Sequence, residues 1–148
     1  MIALEPTYTA LWALVSALPD FAYTTRRPVV PQNLADGQFP ALLMDQGDIE
    51  FVNDGSGAGA IVTMPVNLMI YVRTGADPSD QTVVPVAVAN ALIDKVRAAV
   101  WPSIPGFKQT LGGLAQSVFV SGKVEVFEGN QGQHCIVIIP VIILAADH

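Results

Sequence analysis

The sequence predicts an α+β domain in which a mixed or antiparallel β-sheet carries two main helices on one face and ends in a C-terminal β-hairpin. Two segments have the three- and four-residue apolar spacing of helices. Several others alternate between apolar and polar residues, and the last third reads as two strands joined by a turn. The 148 residues suffice for one substantial core, so we assign residues 1–148 to a single domain.

The first helix is expected over residues 5–18, with Pro6 in its first turn and Pro19 after its end. Its apolar face comprises Tyr8, Leu11, Trp12, Val15 and Leu18. The second lies in residues 82–100, where Pro85 again suits a first turn. Its inward face is predicted to comprise Val86, Ala89, Ile93, Val96 and Val100.

Short strands are expected near residues 21–25 and on both sides of Gly47. The clearest strand is TMPVNLMIYVRT, in which Val66, Leu68, Ile70 and Val72 point one way and Asn67, Met69, Tyr71 and Arg73 the other. Residues 117–129 also alternate, NQGQ supplies a turn, and HCIVIIPVIIL returns as the last strand.

The last strand is apolar on both faces, since no polar side chain occurs from residue 136 to residue 144. Such a strand has to be covered on both sides. Two helices cover one face of a small sheet, so the other face needs loops or another subunit. Pro140 cannot donate a ladder hydrogen bond and is expected to mark a bulge or an edge segment.

Composition and charge exclude several classes of protein. Charged residues make up only 14%, against about 25% in an average soluble domain, which fits either a well-buried small domain or a surface covered by other subunits. A net charge of −6 argues against a nucleic-acid-binding surface. The apolar run is about half the roughly 20 residues of a membrane helix. The start lacks the basic region of a signal peptide, and the single Cys135 fits a reducing compartment.

Several segments resemble enzyme or cofactor-binding motifs in their letters but lack the structural context that those motifs require. Residues 55–60 have the letters of a dinucleotide-binding turn, but a strand-like segment follows where a helix is required. His134 and Cys135 are neighbours on a strand and point apart, which prevents a catalytic dyad. The acidic residues Asp45, Asp48, Glu50 and Asp54 depart from calcium-loop spacing. We therefore expect no catalytic residues, no metal, no cofactor and no enzymatic activity.

The order of several short motifs resembles a known family. An N-terminal helix precedes TTRRP and FPALLM, then IYVRT and a second helix, then QTLGG (109–113), GKVEVFEG (122–129) and IIPVII (138–143). This order is similar to that of tail terminator (tail completion) proteins of long-tailed bacteriophages and prophages, over nearly the whole chain.

The resemblance implies a hexameric ring that caps the tail tube, stops its elongation and provides the surface for head joining. The implied partners are further copies of the chain, the tail tube protein and the head connector protein. DNA would pass only as cargo, no membrane is involved, and the location is the head-proximal end of the tail, after assembly in the host cytoplasm.

Scarce cations and a glycine-rich loop are the candidate interface. Arg26, Arg27 and Arg73 fit either surface charges at strand ends or partners for carboxylates of a neighbouring copy. The loop at 53–60 is expected to become ordered on docking to the tube. The candidate residues for contact with a subunit or the tail tube are Arg26, Arg27, Asp54, Gly55, Gly57, Gly59 and Arg73.

Two alternatives remain open from the sequence. The first is a head–tail connector or adaptor protein of the same virion. The second is a small cytoplasmic ligand-binding domain with a pocket beneath the 53–60 loop, which predicts a stable monomer or dimer.

Deletion of residues 55–59 is expected to leave the fold intact and to impair capping of the tail tube, because the glycines would contact the tube rather than the core. The thermal unfolding midpoint and the length distribution of assembled tails measure the two effects. Normal capping by the deletion variant would contradict the role of this loop.

Overall fold

A computed structural model describes residues 2–53, 55, 59–73, 84–128 and 134–147. The predicted turn at 130–133 and residues 82 and 83 of the predicted second helix therefore lie outside the described residues. Residue 147 is described by its backbone only. The helices are α1 (Leu4–Ser16) and α2 (Pro85–Val100). The strands are β1 (Tyr23–Thr25), β2 (Ala41–Gln46), β3 (Glu50–Asn53), β4 (Ala60–Arg73), β5 (Ser117–Val120), β6 (Glu125–Phe127) and β7 (His134–Asp147).

The seven strands form one mixed sheet in the order β1-β2-β4-β7-β5. In addition β3 pairs with β4, and β6 pairs with β7. Of the strand pairs in the described part of the chain, the β1–β2 pair alone is parallel. The predicted α+β class and the C-terminal pairing of β6 with β7 are thereby confirmed.

Strands β4 and β7 form the centre of the sheet, paired from Ala60 opposite Asp147 to Arg73 opposite His134. Shorter strands flank this pair in two tiers. At one end the order is β3-β4-β7-β5, and at the other it is β1-β2-β4-β7-β6. The marginal strands are therefore β3 and β5 in one tier, and β1 and β6 in the other.

Both helices pack on one face of this sheet, as the sequence predicted. The core between them contains the alternate residues of β4 and β7 together with Tyr8, Leu11 and Val15 of α1. In α2 the buried residues are Ala89, Leu92, Val96 and Val100, whereas the predicted Ile93 is half-buried. The true apolar stripe is therefore rotated slightly from the predicted one, because Leu92 faces the sheet.

The opposite face is only partly covered. At its β1–β2 end the segment 29–39 packs over Ala41, Leu43 and Tyr71, and the Tyr71 hydroxyl donates a 2.7 Å hydrogen bond to the Val29 carbonyl. Beyond that cover lies a surface that we call the open face. Its half-buried residues are Thr63, Pro65 and Asn67 of β4, Phe119 of β5, and Ile138, Pro140, Ile142 and Leu144 of β7.

Pro140 does not mark a bulge, because β4 and β7 stay in register through its pairing with Asn67. On the other side of β7, Ser121 donates its N–H to the Pro140 carbonyl at 3.0 Å. The reciprocal bond would need a proline N–H. Strand β5 ends at Val120, just where that bond is missing. The predicted irregularity is thus a gap between β5 and β6 in the neighbouring strand.

Gly122 explains why the predicted strand over 117–129 divides in two. Its φ of +86° is a left-handed conformation that side-chain-bearing residues rarely adopt. The chain therefore leaves the ladder after Val120 and returns to it at Glu125.

Two neighbouring isoleucines test the difference between the faces. Ile139 is fully buried under the helices, so Ile139→Ala should lower the free energy of unfolding by about 2–5 kcal/mol. Ile138 lies on the open face, and Ile138→Ala should cost clearly less, because that site is partly solvated. Urea unfolding of both variants measures the difference, and equal losses would contradict the assignment of the two faces.

Candidate assembly surfaces

One margin of the sheet carries an apolar projection that we call the β3 arm, formed by residues 48–53 and 60–63. Its large side chains are Phe51, Val52 and Ile61, which are 54%, 50% and 54% exposed. Strand β3 pairs with β4 on one side, and among the described residues no strand pairs with its other side, which forms the margin of the sheet. Exposed apolar edge strands are sites at which another chain adds.

The two sides of the β3 arm continue the two faces of the sheet. Phe51 lies opposite Val62, whose side chain is buried on the helix side. Val52 lies opposite Ile61, on the side of the open face. The arm therefore offers an apolar side chain on each side.

Gly47 sets the position of the arm relative to β4. Its N–H donates a 2.8 Å hydrogen bond to the Pro65 carbonyl, and a Cβ at this position would lie 3.2 Å from that oxygen. A residue with a side chain would push the β2–β3 turn away from β4, so the close approach favours glycine.

The opposite margin carries a groove of about 580 Å³ between α2 and β5. Its lining comprises Asp94, Arg97, Ala98 and Trp101 of α2 and its C-terminal cap, Ser103 of the following loop, and Phe119 and Val120 of β5. The Trp101 ring meets Phe107 edge to face, with 5.8 Å between ring centroids. Arg97 and Asp94 form an exposed ion pair at 3.8 Å. We call this surface the α2–β5 groove.

Gln109, in the QTLGG motif, fixes one wall of the α2–β5 groove. Its side-chain amide donates to the Val100 carbonyl at the end of α2 at 3.2 Å. Its side-chain oxygen accepts from the Leu111 N–H at 3.1 Å, and its backbone carbonyl accepts from the Val118 N–H at 3.1 Å. One residue thereby links α2, the loop and the outer side of β5, and the groove begins beyond Val118.

Two of the predicted interface arginines have carboxylate partners within their own chain. The Arg26 guanidinium pairs with Glu5 of α1 and donates to the Gln46 side chain at 3.2 Å. Its hydrogen bond holds the pKa of the Glu5 carboxyl below the ordinary value. Arg73 pairs with Asp36. Both pairs join separate segments of the subunit, and contact of either arginine with a neighbouring copy stays a prediction.

The predicted interface residues do not form one cluster. Arg27 is exposed beside Arg26 at the end of β1, far along the sheet from Arg73 at the end of β4. Gly55 and Gly59 have φ of +77° and +94°, and the Gly55 N–H donates to the Asn53 side chain at 2.8 Å. Asp54 and Gly57 lie outside the described residues.

The observed geometry agrees with the rejection of the cofactor and dyad motifs. Strand β4 begins at Ala60, directly after the glycines, where a dinucleotide turn requires a helix. Cys135 is buried on the helix side and His134 stacks on Phe39 on the other, with 5.1 Å between ring centroids. Burial lowers the pKa of His134, and the Arg73 charge adds to this effect.

Within the described ranges, no three His, Cys, Asp or Glu side chains are grouped so that they could hold a metal ion. Over the same part of the chain, neither helix has the length and apolarity needed to cross a membrane. The expectations of no metal and no enzymatic activity remain predictions.

Sequence reasoning missed Phe51, Trp101 and Phe119 as surface residues. Phe51 stands between acidic residues and a glycine-rich stretch, which was a usable sign of exposure. For Trp101 and Phe119 no local sign existed, because their proximity depends on how α2 packs beside β5.

The buried thiol offers a direct test of this environment. Burial raises the pKa of the Cys135 thiol, and the Glu128 charge adds to this effect. The thiolate is the reactive form, so native protein at pH 8 should react with a thiol reagent much more slowly than urea-unfolded protein. Equal rates would contradict the buried placement.

No family model and no curated protein matches the chain. Among solved structures, it is similar to a chain of one described as "Virion of native gene transfer agent (GTA) particle", at 11% sequence identity and a TM-score of 0.49. The match covers 95% of this chain and 91% of that chain.

Proposed function

We propose that this protein is a non-enzymatic virion structural protein that forms a ring on the end of a phage tail tube, stops tail elongation and provides the surface that joins the head. The observation on which the proposal rests is the open face together with its apolar margins. The order of the sequence motifs, which resembles that of tail terminator proteins, is the reason for proposing a ring on the tail tube and not another assembly.

The open face is suited to contact with protein rather than with water. Phe119 lies opposite Ile142 and next to Leu144, and Pro140 and Ile138 continue the same face of β7, on a surface that the helices do not reach. A contiguous apolar patch of this kind is uncommon on a monomer and typical of an interaction surface. In the proposed ring, part of this patch is covered by a neighbouring subunit.

The margins of the sheet favour a ring over a two-fold dimer. The β3 arm and the α2–β5 groove lie on opposite margins and are different surfaces. Contact between unlike surfaces is heterologous and repeats from copy to copy, which gives a ring when the rotation between copies closes. The resemblance implies six copies, with the tail tube protein on one side of the ring and the head connector protein on the other.

The acidity of the chain is compatible with DNA as cargo. With 13 acidic and 7 basic residues, and with Arg26 and Arg73 already paired to carboxylates, few free cations remain to retain a polyanion. In this proposal DNA passes through the ring without binding tightly to it.

The first test is the mass of the protein in solution. Light scattering after gel filtration should give a six-fold mass, or a monomer that forms a stoichiometric ring only when tail tubes of the same phage are added. Electron microscopy should place that ring at one end of the tube. Attachment to heads but not to tubes would favour the connector alternative, and a monomer indifferent to both would contradict a virion role.

A single substitution on the open face should separate folding from assembly. In Ile142→Lys a charge would be buried without a partner on assembly, which should raise the concentration needed for ring formation by more than about tenfold. The matched control is Leu114→Lys, at a 40% exposed side chain away from the open face. Both variants should keep the circular dichroism of the parent. Unchanged assembly by Ile142→Lys would contradict the use of the open face.

A further inference from the structure

We infer that the subunit contact is made by the β3 arm of one copy seated against the α2–β5 groove of the next, so that β3 extends the neighbour's sheet beyond β5. This contact rests on the ring proposed above and specifies its two surfaces. The occupant of the groove is thus a second copy of this chain.

Strand polarity agrees with this pairing. β3 is antiparallel to β4, β4 to β7, and β7 to β5. Copies related by rotation about a ring axis keep the same strand direction along it. The β3 of one copy therefore runs antiparallel to the β5 of its neighbour, which is the more stable arrangement.

The backbone of β5 is oriented to receive a further strand at the groove. Ser121 donates inward to Pro140 of β7, so the alternation of an antiparallel ladder turns the N–H and C=O of Val120 outward. The Val118 N–H is already bonded to Gln109. A second strand can therefore form hydrogen bonds with β5 at Val120, while the N–H and C=O of Phe119 point inward to β7.

The side chains match on both sides of such a junction. Phe51 on the helix side of the arm meets the side of the groove lined by Ala98, Trp101 and Val120. Val52 on the other side extends the open face next to Phe119. Exposed apolar side chains would thus be buried on both faces of the shared sheet.

The two strands lie in the same tier of the sheet but are offset along it. Through Ile61, Val52 is level with Ala146 of β7, whereas Phe119 is level with Ile142, four residues away along the same strand. Both belong to the tier in which β3 and β5 are the marginal strands. A stagger between neighbouring strands is what a sheet needs in order to close on itself.

Charge favours the same pairing over contact between like surfaces. The β3 arm carries the exposed carboxylates of Asp48 and Glu50. At the groove, the exposed Arg97 is paired with the exposed Asp94. Two further cations, Lys95 of α2 and Lys108 of the loop after it, are also exposed. Two arms would repel each other, whereas an arm and a groove attract, which selects a head-to-tail contact.

Charge exchange tests the contact. Glu50 lies on the open-face side of the arm and Arg97 on the helix side of the groove, so the two act through opposed charge patches and not as a direct pair. Glu50→Lys and Arg97→Glu should each weaken association about threefold at low salt, and the double variant should recover part of that loss. Glu125→Lys makes the same charge change on β6 at the other end of the sheet and should have little effect. Association is measured by sedimentation at low and moderate salt, and circular dichroism confirms that each variant is folded.

Cross-linking gives an independent result. Under mild oxidation, Val52→Cys mixed with Phe119→Cys should form a disulfide between copies, whereas Val126→Cys mixed with Phe119→Cys should not. Cys135 is 0% exposed and is not expected to take part. The cross-link and the charge rescue are the expected results.

Two other outcomes separate this contact from the function on which it rests. In the first, the parent protein forms a ring, the Glu50 and Arg97 variants associate as well as Glu125→Lys, and no cross-link forms between positions 52 and 119. That outcome would contradict the proposed contact but not the proposed ring. If the parent stays monomeric with and without tail tubes, the proposed function and the contact both fail.

Discussion

The pairing of β4 with β7 is the interaction on which the rest of the structure depends. The two strands match residue for residue from Ala60 and Asp147 to Arg73 and His134, and every other strand except β1 pairs with one of them. Their alternate side chains form the floor of the core beneath both helices. Because each strand is longer than any of its outer neighbours, the margins are built from short strands in two tiers.

This asymmetry between the faces links packing to function. One face is closed by α1 and α2, and the fully buried residues Val137, Ile139 and Ile143 lie beneath them. The other face has cover at one end only, from the segment 29–39. A sheet that is apolar on both faces with one of them half covered has a surface left for a partner. The proposed ring uses that surface.

The charged residues have two different roles. Some form ion pairs within the subunit, and others are exposed at the margins where a neighbouring copy would bind. Arg26 joins α1 to β2 through Glu5 and Gln46, and Arg73 joins β4 to the covering segment through Asp36. The exposed charges at the two margins are arranged differently: carboxylates lie on the β3 arm, and Lys95 and Lys108 are exposed near the Arg97–Asp94 pair of the α2–β5 groove. Exposed pairs add little to stability, but complementary patches raise the rate and specificity of association.

The sequence by itself determined the α+β class, the alternation of β4 and the need to cover both faces of β7, because residue periodicity and the run from 136 to 144 express burial directly. It missed the reason that Pro140 is tolerated, since the gap between β5 and β6 lies in another strand. It also placed the candidate interface on arginines, of which two pair internally. Only the tertiary structure decided that Phe51 stands on one margin and that Trp101 and Phe119 meet on the other. Those positions depend on pairing and packing between segments distant in the chain, which local patterns do not encode.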